Sequence, residues 1–155
     1  IIYLAEKEKA VIYENSGYLF FIIAPIITKT FKNEKAAINL ANKIEESLLY
    51  HNKMLRQKID FGISLNRGAI VAKKEKDILQ FMSFGSLIGM SKKIASMADK
   101  EVFLSQQINE KVISDVKTER QTKEDVAVYK IKEIRDREAN QEFLRSFMNR
   151  MEGKK

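Results

Sequence analysis

The run YLFFIIA, from Tyr18 to Ala24, carries no charge and no polar group other than one phenol. A strand that is apolar at every position has to be covered on both faces, so the run is expected at the centre of a sheet. Asn15, Ser16 and Gly17 before it form a turn signal, and Ala10 to Glu14 reads as a short strand rich in β-branched and aromatic residues. Together they predict a β-hairpin. The longest apolar run, Leu19 to Ile27, is broken by Pro25 and falls far short of the roughly 20 apolar residues of a membrane span.

Helices and further strands alternate with this hairpin. Ile1 to Lys9 reads as the end of a helix. Asn33 is placed as an N-cap with Glu34 in the first turn, and Ala37, Ala41, Ile44 and Leu48 recur at helical spacing to about Leu55. IDFGISLN and GAIVAK read as a second hairpin around Asn66, Arg67 and Gly68, with Leu79 to Ser83 as a further short strand. From Ser86, the positions Leu87, Met90, Ile94 and Met97 mark a helix whose Gly89 costs it roughly 1 kcal/mol relative to alanine. EVFLS follows as a strand, Ser105 caps a short helix to Ile113, a polar segment runs to Asp125, and VAVYKI is a strand. Strand pairs, hairpins and crossovers in this order predict an α+β sandwich, a mixed and mostly antiparallel sheet covered by helices.

With 155 residues, one proline and no glycine runs, the chain is read as one compact domain, residues 1–131, with a helical extension over 132–155. It opens on Ile1 rather than methionine, and a strand and helix are expected to precede it. The absence of cysteine excludes disulfides and thiolate metal sites and makes the cytoplasm the default address. His51 has no second histidine or cysteine at ligand spacing, so no metal role is assigned to it. The net charge of +7 is compatible with an RNA partner. Its densest stretch, Lys53 to Lys74, lacks the interleaved aromatics that would stack bases, so it reads as solvated surface.

Three segments then meet a known pattern. KIDFGISLNRGAIVAK, with Gly62, Ile63 and Gly68, resembles the glycine-marked segment of class III nucleotidyl cyclases. FMSFGSLIGMSKKIASMADKEVFLS resembles that family's strand, Gly-Asp turn, signature helix and following strand, while NEKAAINLANKI and KEDVAVYKI resemble its alanine-rich helix and closing strand. The resemblance covers about Ala10 to Ile131. It implies a ferredoxin-like cyclase sandwich that works as a pair of domains and joins the 3′ hydroxyl of a nucleoside triphosphate to its own α-phosphate. That chemistry rests on positioning and electrostatic stabilisation. In such a site two aspartates hold two metal ions, an asparagine and an arginine orient the ribose and neutralise charge, and a lysine with a polar partner reads the purine.

The residues this chain carries at those positions depart from the pattern. One metal aspartate falls on Tyr18, a neutral phenol and a poor ligand for a hard dication; the other would precede Ile1. The asparagine position is Gly89, and the arginine position is Lys93, which keeps the charge without the bidentate fork. The purine lysine falls on Glu14 and its polar partner on Met82. Lys93 and Arg120 are what remains of a phosphate site. As packing residues, Tyr18 reads as half-buried and Met82 and Met90 as core fillers.

With all five readable positions changed, the expected function is a catalytically inactive cyclase-like domain serving as a dimerisation or regulatory module, with no catalytic residue, no metal and no cofactor. Its partner is expected to be a second copy or a homologous domain, with no membrane involvement. The enzymatic alternative is a divergent nucleotidyl cyclase, or one half of a heterodimeric one, with magnesium as its cofactor; the third reading is a basic RNA- or ribosome-associated module. Beyond the resemblance, Phe143, Leu144, Phe147, Met148 and Met151 form one stripe of an amphipathic helix over Ala139 to Met151. It is expected to pack back onto the domain; docking into a protein partner is the alternative.

Overall fold

The computed structural model describes residues 1–76, 78–135 and 137–152. A short helix, α1 (Ile2–Lys7), leads into the strands β1 (Val11–Asn15) and β2 (Tyr18–Ile22), and one turn of helix, α2 (Pro25–Thr28), starts on Pro25. The long helix α3 (Glu34–Met54) follows, then β3 (Ile63–Leu65), β4 (Val71–Glu75), β5 (Ile78–Ser83) and helix α4 (Leu87–Met97). Strand β6 (Val102–Leu104), helix α5 (Gln106–Val112), strands β7 (Val116–Lys123) and β8 (Val126–Ile134) and helix α6 (Arg137–Glu152) complete the order.

The main sheet runs β3-β6-β8-β7, with β3 parallel to β6 and the other neighbours antiparallel. One face packs Val102, Leu104 and Val116 against Ile38 and Ala41 of α3 and Ile108 and Val112 of α5. The other packs Phe103 and Val128 against Ile94 of α4 and Ala98 just past its end. The alternation within VFL therefore feeds both layers from one strand, and all three residues are buried. This is the α+β sandwich of mixed, mostly antiparallel sheet and covering helices that the order of elements predicts.

The doubly covered strand is thus β6. Tyr18–Ile22 pairs only with β1, as a two-stranded hairpin beside the main sheet, and its Leu19 is 56% exposed. The expectation of a central strand is corrected here: composition told that the run needs cover, and the described elements cover one face of it. The second hairpin is also displaced. IDFGISLN and GAIVAK do not pair with each other, because β3 is drawn into the main sheet by β6 and leaves β4 to pair with β5. Gly62, just before β3, allows the chain to pass against the end of α4, since a Cβ there would lie 2.1 Å from the Ala95 carbonyl oxygen and 2.4 Å from that of Ala98. The polar segment before Asp125 is strand β7, an edge strand whose polar residues face water, so hydrophobic alternation does not announce it.

Two caps act differently from expectation. Asn33 stands at the start of α3, but its side chain serves the preceding loop, accepting from Thr28 Oγ1 at 2.8 Å and donating from Nδ2 to the Thr30 carbonyl at 2.9 Å. Ser105 precedes α5 with its Oγ buried and without a protein partner; its carbonyl, not its hydroxyl, receives the helix N–H of Asn109 at 3.0 Å. Neither Met82 nor Met90 fills the core, being 64% and 42% exposed. The apolar stripe of α6 likewise does not pack back on the domain: Phe143, Leu144, Phe147, Met148 and Met151 are all exposed.

Candidate functional site

Of the positions that the resemblance marks, Glu14 and Tyr18 flank the turn of the β1–β2 hairpin, Met82 lies on β5, and Gly89 and Lys93 lie on α4. Ser16 and Gly17 have φ of +51° and +78°, the left-handed pair a two-residue hairpin turn needs, and glycine fills the second place without strain. Asn15 and Tyr18 face each other across this turn. Directly opposed residues share a face, so Val11, Tyr13, Asn15, Tyr18, Phe20 and Ile22 line one side of the hairpin, while Ile12, Glu14, Leu19 and Phe21 line the other. Glu14 and Tyr18 consequently project from opposite faces, with Glu14 in solvent.

The face that carries Tyr18 meets the segment leading into α4. Tyr13 stacks on Phe84, with ring centroids 5.1 Å apart and planes 28° from parallel, and Phe84 lies 5.3 Å from Phe81. The Lys92 ammonium donates to Asn15 Oδ1 and lies 5.4 Å from the centre of the Tyr18 ring. Lys93 projects into solvent, as does Met90. Gly89 lies on the exposed side too, and a Cβ added there would meet no atom within 4 Å, so packing does not demand glycine at this position. The sequence could not tell which of two adjacent lysines reaches the hairpin. The helix does so, because Ile94 is buried against the sheet and so orients the residues of its turn.

Arg120 lies elsewhere. It opposes Tyr129 on β8, whose ring packs with the layer under α3 and α5, whereas the next pair, Gln121 and Val128, points to the α4 layer. Lys93 and Arg120 are therefore on opposite faces of the sheet, and one chain does not converge them on one anion. His51 is tied to the local backbone, its Nε2 3.2 Å from the Gln57 carbonyl oxygen.

Two clefts flank these elements. One, of about 290 Å³, is lined by Asn66, Arg67, Phe84, Gly85, Ser86 and Gln107 among others; Arg67 is held by Glu34 at 3.2 Å, and Asn66 Oδ1 is buried without a protein partner. The other, of about 320 Å³, lies between α3 and β8 and contains Glu45, Glu101 and Lys130. There burial, with the Glu101 carboxylate adding to it, raises the Glu45 pKa above its ordinary value. A 2.5 Å contact with Glu101 raises that of Lys130.

The residues at the hairpin turn do not fit a divalent metal. A phenol, an amide oxygen already engaged by an ammonium, and that ammonium itself are the groups present. Among the described residues, no three His, Cys, Asp or Glu side chains converge where they could hold a metal ion.

No protein-family model matches the chain, and a comparison with curated proteins finds no match. Solved structures do match. A dimeric guanylyl cyclase domain of the RhoGC fusion protein from the aquatic fungus Blastocladiella emersonii superposes with a TM-score of 0.68 at 18% identity, over 86% of this chain and 78% of that one. The guanylate cyclase domain of RhGC from Catenaria anguillulae in complex with GTP gives 0.67 at 17%, over 86% and 78%. The adenylyl cyclase CyaB from P. aeruginosa gives 0.67 at 11%, over 86% and 77%. At these identities the likeness is one of architecture, and it agrees with the order of glycines and core positions read from the sequence: this chain has the fold of the class III adenylyl and guanylyl cyclase catalytic domains.

Proposed function

We propose that this chain is a catalytically inactive cyclase-like domain that acts as a dimerisation or regulatory module in the cytoplasm, without metal or cofactor. The observation that carries the reading is the chemistry at the hairpin turn. A phenol, with the Lys92 ammonium beside it, stands at the one position in this chain where phosphoryl transfer with two metal ions calls for a carboxylate, and Gly89 leaves open space where the reaction calls for an orienting side chain. Pairing is supported separately by the apolar side chains left exposed on the β4–β5 hairpin and on α4, among them Met82, Val71, Ile78 and Met90. One structural neighbour, the RhoGC guanylyl cyclase domain, is described both as a non-canonical dimer and as a monomer, so the pairing reading stands on the exposed apolar groups.

The test is incubation with ATP or GTP and either magnesium or manganese. The expected outcome is no cyclic nucleotide above a control without protein; product formation overturns the inactive reading. Light scattering over a concentration series tests the second half, with self-association or pairing with a homologous domain expected and a monomer at every concentration, alone and with such domains, opposing it.

The enzymatic alternative, a divergent cyclase or half of a heterodimeric one, is favoured by one observation. Lys93 keeps an exposed cation at the arginine position of a fold that in a neighbour is seen with GTP. Mixing the chain with a homologous domain that carries the metal aspartates, and assaying product, tests it. The RNA reading gains less, because Arg67 is paired with Glu34, Lys73 with Glu75, and Lys58 with the backbone carbonyls that end α3.

A further inference from the structure

We propose that Lys92 is a cationic clasp, fastening the β1–β2 hairpin to α4 and holding the hairpin turn closed to divalent cations. Among the described residues the hairpin has no backbone pairing with the main sheet, and its β1 strand packs on α1. At the turn end it is fixed by side chains alone. The Lys92 ammonium donates to Asn15 Oδ1; Asn15 Nδ2 in turn donates to the Tyr13 hydroxyl at 3.2 Å; and the Tyr13 ring stacks on Phe84. Phe84 is joined through the Gly85 turn to α4, so the circuit closes on the helix that carries Lys92.

Both ends of the Asn15 amide are used, and only one orientation satisfies them, because the reverse would aim the amide nitrogen at the ammonium. The Tyr18 ring adds its negative face at 5.4 Å, within the roughly 6 Å over which a cation is attracted to a ring. Hydrogen bond and ring together give a cation a place at this turn, and the chain's own ammonium takes it. A dication would have to displace a covalently tethered charge from the Asn15 amide oxygen, and among the described residues no cluster of carboxylates stands beside it. The hairpin is thereby docked without metal. The clasp deepens the inactive reading and rests on it for the cation; its test reads backbone protection and metal contact, while the inactive reading is tested by turnover, so the two fail separately.

Amide hydrogen exchange of the full chain is the measurement. In Lys92→Met, exchange at Asn15 to Tyr18 should rise about tenfold, the effect of losing one hydrogen bond to a charged group, while the β6 and β8 amides stay protected. Lys92→Arg, which keeps charge and donor, should restore most of the protection. Should Lys92→Met fold poorly, Asn15→Ala removes only the acceptor and is expected to open the same amides. Unchanged exchange in either folded variant overturns the clasp. In the native chain, protection of the hairpin should be equal in magnesium and in chelator, and manganese should broaden no NMR signal of Asn15, Tyr18 or Lys92 selectively. A gain of protection with magnesium, or selective broadening at those residues, overturns the exclusion of dications.

Discussion

The β6 strand and the β2 strand are both apolar throughout, yet their surroundings differ. Val102, Phe103 and Leu104 are at most 4% exposed, whereas β2 exposes Leu19 and is tied at its turn by a lysine and an asparagine. The first is held by burial between two layers, which is strong and non-directional; the second is held by a few directional contacts at one end. Surfaces of the second kind have apolar area left over. The hairpins β1–β2 and β4–β5 and the stripe of α6 carry ten of the twenty-two large apolar side chains exposed among the described residues, and a partner is expected on one of these surfaces.

The largest loss of stability is expected in the core. Phe103→Ala should cost about 3 to 5 kcal/mol, and Leu19→Ala no more than about 0.5 kcal/mol in the monomer. Chemical denaturation measures both; similar losses would mean that the hairpin is as deeply integrated as the sheet. Gly62→Ala belongs with the core, since its methyl would be driven into the backbone of α4, and a loss of about 1 to 3 kcal/mol is expected.

A charge on the exposed side should act on association instead. Met82→Asp is expected to weaken self-association or pairing about tenfold or more, with little change in monomer stability, because an unpaired carboxylate would be desolvated in the contact. Sedimentation over a concentration series reads it, and unchanged association would remove the β4–β5 hairpin from the interface. Tyr18 and Phe84 are less clean sites for the same test, because both are engaged within the domain.

Deletion of α6 sharpens the comparison from the other side. Truncation after Arg135, which spares all of β8, should change stability by less than about 0.5 kcal/mol, since the five apolar side chains of the stripe are exposed. A large fall in melting temperature would show that the stripe packs on the domain in solution. Loss of association at unchanged stability would place α6 in the contact.

The smallest expected effect is on pH. The Glu45 pKa is raised in the folded chain, chiefly by burial, so folding binds its proton more tightly. Its contribution therefore becomes more favourable as pH falls through the folded pKa towards 4.5, and it is unfavourable at neutral pH. Glu119, whose pKa is lowered by Lys132, works the other way, contributing stability above 4.5 that is lost as pH falls through its folded pKa. Glu45→Gln should thus melt slightly above the native chain at pH 7, with the difference vanishing in acid. A lower melting temperature at pH 7 would mean that the Lys130 attraction outweighs burial.

The order of helices and strands was legible because periodicity is a local property. The stripe Ala37, Ala41, Ile44 and Leu48 marked α3, and Leu87, Met90, Ile94 and Met97 marked α4, although Met90 of that stripe is exposed. The glycines carried the family pattern for a physical reason visible at Gly62, where backbone meets backbone. The polar edge strand β7 was not legible, since nothing on its exposed face needs to be apolar. Tyr18, Gly89 and Lys93 are positions that the resemblance implies, counted from Gly17 and Gly85. Lys92 and Asn15 were not legible, because their importance lies in a contact between residues far apart in the chain.

The amino-acid sequence by itself determined the α+β class, the turn at Ser16 and Gly17, a phenol at Tyr18 and the lack of any side chain at Gly89, all of which depend on residue type and short-range spacing. Which apolar strand lies at the centre, which lysine meets the hairpin, and that Lys93 and Arg120 face opposite sides of the sheet were decided by the tertiary structure. These are questions of register and of which layer covers which face. A shift of one residue in strand pairing, or of a third of a turn in a helix, reverses each answer while leaving composition and periodicity unchanged.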